Sequence, residues 1–139
     1  MARDEAGLAA VMGHEVAHAL ARHGAERMSQ AGLLQLGAIG LAAGLGGASP
    51  MTRDTIVQAD GLGAQVGILM PFGRSQEAEA DRIGLILMAK AGYDPSAAIG
   101  LWQRMEAQAD GQAPPGFLST HPSYRTRQRN IEAWLLEAR

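Results

Sequence analysis

The stretch MGHEVAHAL, residues 12–20, predicts a helix with two histidines on one face. Residues four apart on an α-helix lie one above the other, so His14 and His18 can direct two ring nitrogens at one metal ion. Glu15 is one step round the helix, close to such an ion without having to bind it. This is the arrangement of a zinc hydrolase, in which neutral imidazoles hold the ion and the carboxylate moves the proton of the attacking water.

The alternative interpretation is that these three residues are solvated side chains on a surface helix. The rest of the helix argues against it, because apolar residues cover nearly all of its sides: Leu8, Val11, Met12, Val16, Ala17, Ala19 and Leu20. A helix that is apolar all round is typical of a buried helix. Two histidines and a glutamate buried together are costly without partners, and a metal ion compensates that cost.

A third ligand is sought among the remaining acids and histidines. Glu77 and Asp81 are four apart and share a helix face, whereas Glu79 points away from them. Glu77 suits a third ligand, and Asp81 suits an acceptor for the ring N–H of a ligating histidine, most simply His14. By spacing alone, these acids could equally enrich a helix N-terminus in negative charge. The histidine pair favours the ligand. His23, on an extended helix, is predicted to lie at the surface, away from the ion.

The remaining sequence is a succession of helical patterns separated by Gly and Pro. It predicts a loop at 71–73 and helices over about 4–24, 25–45, 52–70, 75–92, 95–110 and from 121 to the end. No run alternates with period two. We therefore expect a mainly α fold with little or no β, a zincin-like helical core in which the metal helix meets a second ligand-bearing helix. Residues 1–139 are interpreted as a single metallopeptidase catalytic domain.

The composition excludes several classes of function. An apolar fraction of 47% in 139 residues suits one globular domain. The formal net charge of -2 gives no reason to expect a nucleic-acid partner. The absence of cysteine excludes disulfides, thiolate zinc sites and cysteine nucleophiles.

Residues 31–48 read AGLLQLGAIGLAAGLGGA and resemble a short membrane span. Their length is at the lower edge for crossing a bilayer, and Gly and Ala are weak drivers of insertion. We predict a buried helix here, with a membrane-contacting hairpin as the alternative.

Three separated motifs resemble one peptidase family. MGHEVAHALARHGAERMSQ begins at residue 12, EAEADRIGLILMAKAGYDP at residue 77 and STHPSYRTRQRNI at residue 119. Together they resemble the HtpX and CAAX-prenyl-protease family of gluzincins, peptidase family M48, and most of all its bacterial envelope branch. The resemblance covers about residues 5–131.

The resemblance implies roles for single residues. Glu77 matches the third zinc ligand. His121, which spacing alone suggests to be a surface capping residue, matches a histidine near the active site that could donate to the oxyanion or occupy the open metal position. Arg127 matches an arginine of the late motif, and we expect it to be a structural ion-pair partner.

The function implied is a zinc-dependent metalloendopeptidase that hydrolyses protein or peptide substrates in quality control at the bacterial cell envelope, periplasmic or membrane-associated. Two alternatives stay open: a catalytically blocked, zinc-containing chaperone or adaptor, and a membrane-associated peptidase acting on lipid-modified peptides. Two His and a carboxylate can also hold divalent ions other than Zn²⁺. The sequence decides neither oligomeric state nor membrane association of the full-length protein.

Family members usually carry a segment with a β-strand before the metal helix, and that strand is expected to bind extended substrate backbone. This sequence has no such segment. We therefore expect an N-terminally truncated fragment with a complete metal site and an incomplete substrate site.

Overall fold

The computed structural model describes residues 4–109 and 124–138, and this part of the chain forms six α-helices and no β-strand. The helices are α1 (Glu5–Leu20), α2 (His23–Gly44), α3 (Pro50–Ala64), α4 (Met70–Lys90), α5 (Ala97–Ala109) and α6 (Tyr124–Trp134). The prediction of a mainly α fold with little or no β is confirmed.

Side-chain caps explain several helix starts. Asp4 accepts a hydrogen bond of 2.7 Å from the backbone N–H of Gly7, and Ser49 accepts one of 3.2 Å from that of Thr52. Each cap satisfies one of the N–H groups that have no partner inside the helix. Asp94 caps the turn before α5, which begins two residues later than the sequence predicts.

The loop predicted at 71–73 is wrong. A π-helical segment, Gln65–Leu69, joins α3 directly to α4, and Pro71 is the second residue of α4. Proline is tolerated in the first turn of a helix, and a π-helical turn accommodates a change in hydrogen-bond register. Ser75, predicted to cap the ligand-bearing helix, therefore lies inside α4.

The first helix was predicted over 4–24, but it ends four residues earlier than predicted. α1 ends at Leu20, and Arg22 adopts the left-handed conformation with φ 57° immediately before α2. A left-handed residue ends the run of helical dihedrals and sends the chain in a new direction. His23 therefore begins a second helix instead of continuing the first.

The hydrophobic core lies where α1, α4, α5 and α6 meet. Its buried members include Ala10, Leu85, Met88, Ala98, Leu101, Trp102 and Ile131. α1 and α4 cross at two glycines, and a Cβ added to Gly13 would lie 2.9 Å from the carbonyl oxygen of Gly84. Only residues without a side chain permit this approach. The crossing brings the residues that follow Gly13 on α1 close to those that precede Gly84 on α4.

The prediction that residues 31–48 form a buried helix is wrong. None of these residues is buried, and Leu33, Leu36 and Ile39 are 70%, 67% and 58% exposed. The reason is topological, because α2 packs mainly against α1 and α3, and α3 also lacks buried residues. Among the described helices, none combines the length and the apolar character needed to cross a membrane.

α1 is likewise buried on one face only, although its sequence predicts burial all round. The exposed face carries Leu8, Met12, Val16 and Leu20, which are 42% to 63% exposed. No described helix covers it, and an apolar groove of about 500 Å³ runs between this face and the C-terminal end of α4. The buried face carries Gly13, His14 and Ala17 and packs on α4.

Candidate metal centre

The three residues proposed as metal ligands come together between α1 and α4. His14 Nε2 lies 3.1 Å from His18 Nε2 and 3.5 Å from Glu77 Oε2. His18 Nε2 lies 3.4 Å from Glu77 Oε1. Among the described residues, this is a group whose ligand atoms all lie within 4.8 Å of one another.

The geometry and the donor set fit a divalent metal ion. Ligands about 2.0–2.1 Å from a tetrahedral zinc ion lie about 3.3 Å from each other. The two Nε2 atoms are 3.1 Å apart, and they lie 3.5 Å and 3.4 Å from different oxygens of Glu77, so the carboxylate is within reach of an ion held between the imidazoles. His14 and Glu77 are 9% and 4% exposed, so the candidate ligand atoms lie in a site that is largely shielded from water. Three protein ligands also leave the fourth position that a catalytic site requires.

Asp81 and Arg127 both contact His14, and Arg127 Nη2 lies 3.1 Å from Nδ1 and 3.3 Å from Nε2 of the ring and 3.7 Å from Glu77 Oε2. Asp81 Oδ1 is 3.0 Å from His14 Nδ1, so the ring N–H can donate to it while Nε2 faces the other ligands. Two nitrogens of Arg127 donate to the Asp81 carboxylate: Nε donates to Oδ2, and Nη2 donates to Oδ1 at 2.7 Å. The guanidinium carbon lies 3.4 Å from the centre of the Trp102 ring, a cation–π contact. Arg127 thus fixes Asp81, and Asp81 fixes the ring of His14.

Burial and neighbouring charges shift the pKa values of both imidazoles. Burial of His14 opposes its protonation, but hydrogen bonds to Asp81 and Glu77 outweigh burial and raise the pKa of His14 to about 9. Burial and the nearby His14 lower the pKa of His18. Because a metal ligand must be deprotonated, ion binding would displace a proton from His14 near neutral pH.

His23 is also part of the centre, although the sequence predicted a surface residue away from the ion. Its side chain is 2% exposed, its Nδ1 lies 2.9 Å from His18 Nδ1 and its Nε2 lies 3.2 Å from Glu79 Oε2. The prediction failed because it extended α1 through position 22, where Arg22 breaks the helix. No periodicity reveals such a break, since Arg is an ordinary helix former.

The start of α2 also reaches Glu77. Arg27 Nη2 lies 3.4 Å from Glu77 Oε1, and Arg27 Nε donates to Gln76 Oε1 at 2.6 Å. Gln76 Nε2 in turn donates to Glu26 Oε2 at 2.6 Å. This network joins α2 to α4 beside the ligand, and the sequence analysis missed it because its residues are 49 to 50 positions apart.

The other two predicted site residues differ in what can be said of them. Glu15 is exposed on α1, next to His14, and so is accessible to water. His121 lies outside the described residues. The catalytic roles of both stay predictions.

The family model described as "Peptidase family M48" matches residues 1–135 of the chain. Mitochondrial metalloendopeptidase OMA1 of Schizosaccharomyces pombe is 44% identical over 99% of this chain and 39% of its own length. The Saccharomyces cerevisiae protein of the same name is 36% identical over 95% of this chain and 37% of its own.

A bacterial relative is also similar. The β-barrel assembly-enhancing protease of Yersinia pestis is 36% identical over 86% of this chain and 26% of its own length. The chain thus spans 39%, 37% and 26% of these three relatives. No solved structure matches the chain significantly.

The predicted location is wrong by this comparison. The three motifs predicted the bacterial cell envelope, yet relatives named as mitochondrial match at up to 44% identity and over more of the chain than the bacterial protease does. The prediction rested on the metal motif and the late His-Pro motif. Such motifs indicate the chemistry of a site and do not indicate the cellular compartment in which the protein works.

Proposed function

The chain belongs to peptidase family M48, and on that premise we propose that residues 1–139 form the catalytic domain of a zinc-dependent metalloendopeptidase. One observation carries the proposal: one ligand atom each of His14, His18 and Glu77 lies within 4.8 Å of the other two, close enough for a single ion to contact all three residues. Zinc is proposed because two imidazoles and one carboxylate with an open fourth position are a common catalytic zinc set.

Each residue of the centre has a chemical task in this proposal. The bound ion would supply Lewis acidity, lowering the pKa of water and polarising the scissile carbonyl. Glu15, exposed beside His14, would take the proton of the attacking water and deliver it to the leaving amine. Asp81 would hold the ring of His14 with Nε2 directed at the ion, and Arg127 would hold Asp81. His121 would stabilise the oxyanion by donating a hydrogen bond.

The substrate class follows from the family, and its finer parts are proposals. Proteins or peptides are the substrates that a peptidase family implies. We propose that the protein cleaves other proteins in quality control. The name of the Yersinia pestis relative, β-barrel assembly-enhancing protease, supports this proposal. The finer likeness to HtpX and CAAX prenyl proteases stays a prediction.

Membrane association of the full-length protein is also proposed. It has the support of the exposed apolar side chains of α2, among them Leu33, Leu36 and Ile39.

Two measurements test the proposal. Elemental analysis of the protein loaded with zinc and desalted should give about one zinc per chain, and Glu77→Ala should lower this content strongly. Glu15→Gln should keep the zinc and lose hydrolysis of an unfolded protein such as casein by about a hundredfold or more. Glu132→Gln, which removes an exposed carboxylate on α6, is the matched control for charge. Zinc-free wild-type protein would refute the metal centre. A Glu15→Gln variant with unchanged hydrolysis would refute the role of Glu15.

A further inference from the structure

His23 has an environment that ordinary packing does not require. It is the first residue of α2, its side chain is 2% exposed, and both ring nitrogens face polar groups. Nδ1 meets His18 Nδ1 at 2.9 Å, and Nε2 meets Glu79 Oε2 at 3.2 Å. The two imidazole rings meet edge-on, with centroids 4.9 Å apart and planes at 75°.

The contacts allow one consistent set of protons when His18 serves as a ligand. Because His18 Nε2 faces His14 and Glu77, its proton must be on Nδ1, where it donates to His23 Nδ1. His23 then carries its own proton on Nε2, which donates to Glu79 Oε2. Each of these nitrogens has one partner, and each imidazole is neutral, as ligation requires.

His23 cannot itself join the ligand set. It approaches His18 from the Nδ1 side of the ring, whereas the other ligand atoms surround Nε2. The relation is the one that Asp81 has to His14, since Asp81 accepts at His14 Nδ1 while His14 Nε2 faces the ligands. Histidine ligands generally need such a partner on the second nitrogen to fix their tautomer and ring orientation.

We infer that His23, supported by Glu79, is a positioning residue that holds His18 in the tautomer and orientation needed to bind the ion. The inference rests on the proposed function, because it concerns the same metal centre. Each of the two histidines is thus connected to a carboxylate. His14 contacts Asp81 directly, and His18 is connected to Glu79 through His23. Arg22 makes the second arrangement possible, because its left-handed conformation turns His23 back toward α1.

The test compares metal binding by two variants at position 23. His23→Phe keeps an aromatic ring but removes the acceptor, whereas His23→Asn places an amide oxygen near the position of Nδ1 and keeps it. Zinc affinity is measured by competition with a chromophoric chelator, and metal-free stability by urea unfolding with EDTA. Cobalt(II), which reports ligand geometry in its visible absorption, is the spectroscopic probe. Loss of an outer-shell partner typically lowers metal affinity about 10–100-fold.

We expect His23→Phe to lose zinc affinity in that range and to change the cobalt spectrum, while His23→Asn recovers most of the affinity. Equal zinc affinity of His23→Phe and wild type, or unchanged cobalt spectra in both variants, overturns the inference and leaves His23 a packing residue. Wild-type protein that binds no zinc would instead refute the proposed function, so the two failures are distinguishable.

Glu79 provides a second test that does not depend on a buried substitution. Its side chain is 59% exposed, so Glu79→Ala should leave the fold intact. We expect a loss of zinc affinity of roughly threefold to tenfold, smaller than for His23 because Glu79 acts through one more residue. Glu132→Ala, an exposed carboxylate on α6, is the control and should have no effect. Equal zinc affinities of Glu79→Ala and Glu132→Ala would overturn the role of Glu79. If neither His23 variant folds, the same result would overturn the inference as a whole.

Discussion

Gly13→Ala tests whether the crossing of α1 and α4 determines the metal centre. The new Cβ would lie 2.9 Å from the carbonyl oxygen of Gly84 and 3.5 Å from its Cα. An ordinary contact needs about 3.4 Å, so the helices must separate by about 0.5 Å. The obstructing atom belongs to the backbone and cannot rotate away. We therefore take the upper end of the cost of overpacking, about 3 kcal/mol. Alanine regains about 1 kcal/mol through its helix propensity, leaving a net loss of about 2 kcal/mol.

The same displacement should weaken the metal site. His14 and His18 move with α1, while Glu77 moves with α4, and a displacement of about 0.5 Å reaches the limit within which a working site must hold its ligands. We expect zinc affinity to fall by about tenfold, the lower end of the loss that follows when ligand orientation is disturbed. The assays are urea unfolding of the metal-free protein and competition with a chromophoric chelator. Gly37→Ala, in the exposed middle of α2 with no atom near its Cβ, is the matched control and should gain up to about 1 kcal/mol. A Gly13→Ala protein as stable and as tight in zinc binding as Gly37→Ala would refute the reasoning.

Three further predictions concern pH, charge and metal. Because folding raises the pKa of His14 from 6.5 to about 9, the protonated ring stabilises the metal-free fold. This stabilisation is complete below pH 6.5 and is lost as the pH rises through about 9. Urea midpoints measured without metal should therefore fall across that window. Zinc affinity should rise over the same window, because the ion competes with one proton on His14, and a pH-independent affinity would contradict this. Arg127→Met should destabilise the protein by about 3 kcal/mol, the lower end of the cost of breaking a buried ion pair, because the buried Asp81 loses the guanidinium and, among the described residues, keeps only His14 as a partner. Arg82→Met, which breaks an exposed ion pair with Glu137, should change the urea midpoint little. Free zinc at 100 times the dissociation constant should stabilise the fold by about 2.7 kcal/mol, and Glu77→Ala should abolish this gain in a thermal-shift titration.

The parts of the centre that the sequence could predict lie within one helix. His14, Glu15 and His18 have a fixed relation on any α-helix, and so do Glu77 and Asp81. Spacing therefore groups the residues within each helix, although for the two acids it leaves charge at a helix N-terminus as an equal alternative. The structure then brings the two groups together and places Asp81 on His14.

What the sequence could not predict depends on where helices break and cross. His23 enters the centre because Arg22 leaves the helical conformation, a change that requires tertiary contacts to stabilise it. The contribution of Gly84 was equally hidden, because an isolated glycine on a helix indicates a close approach without naming its partner. The exposure of α2 was mispredicted for a related reason, since apolar composition does not say which elements will cover a face.

Charge at a helix N-terminus does not explain the acidic run EAEAD, residues 77–81. Negative charge stabilises a helix N-terminus only within the first turn, but α4 begins at Met70, so these acids lie well inside the helix. Each instead faces a histidine: Glu77 meets His14 and His18, Asp81 meets His14, and Glu79, on the other side of the helix, meets His23. The alternation of acids with alanine therefore places the carboxylate of Glu77 among the candidate ligands, that of Asp81 against His14 and that of Glu79 against His23. Ala80, between Glu79 and Asp81, serves the packing, since it is fully buried. Ala80→Leu should accordingly lower zinc affinity in competition with a chromophoric chelator through packing alone, without removing any of the candidate ligands, and an unchanged affinity would contradict this.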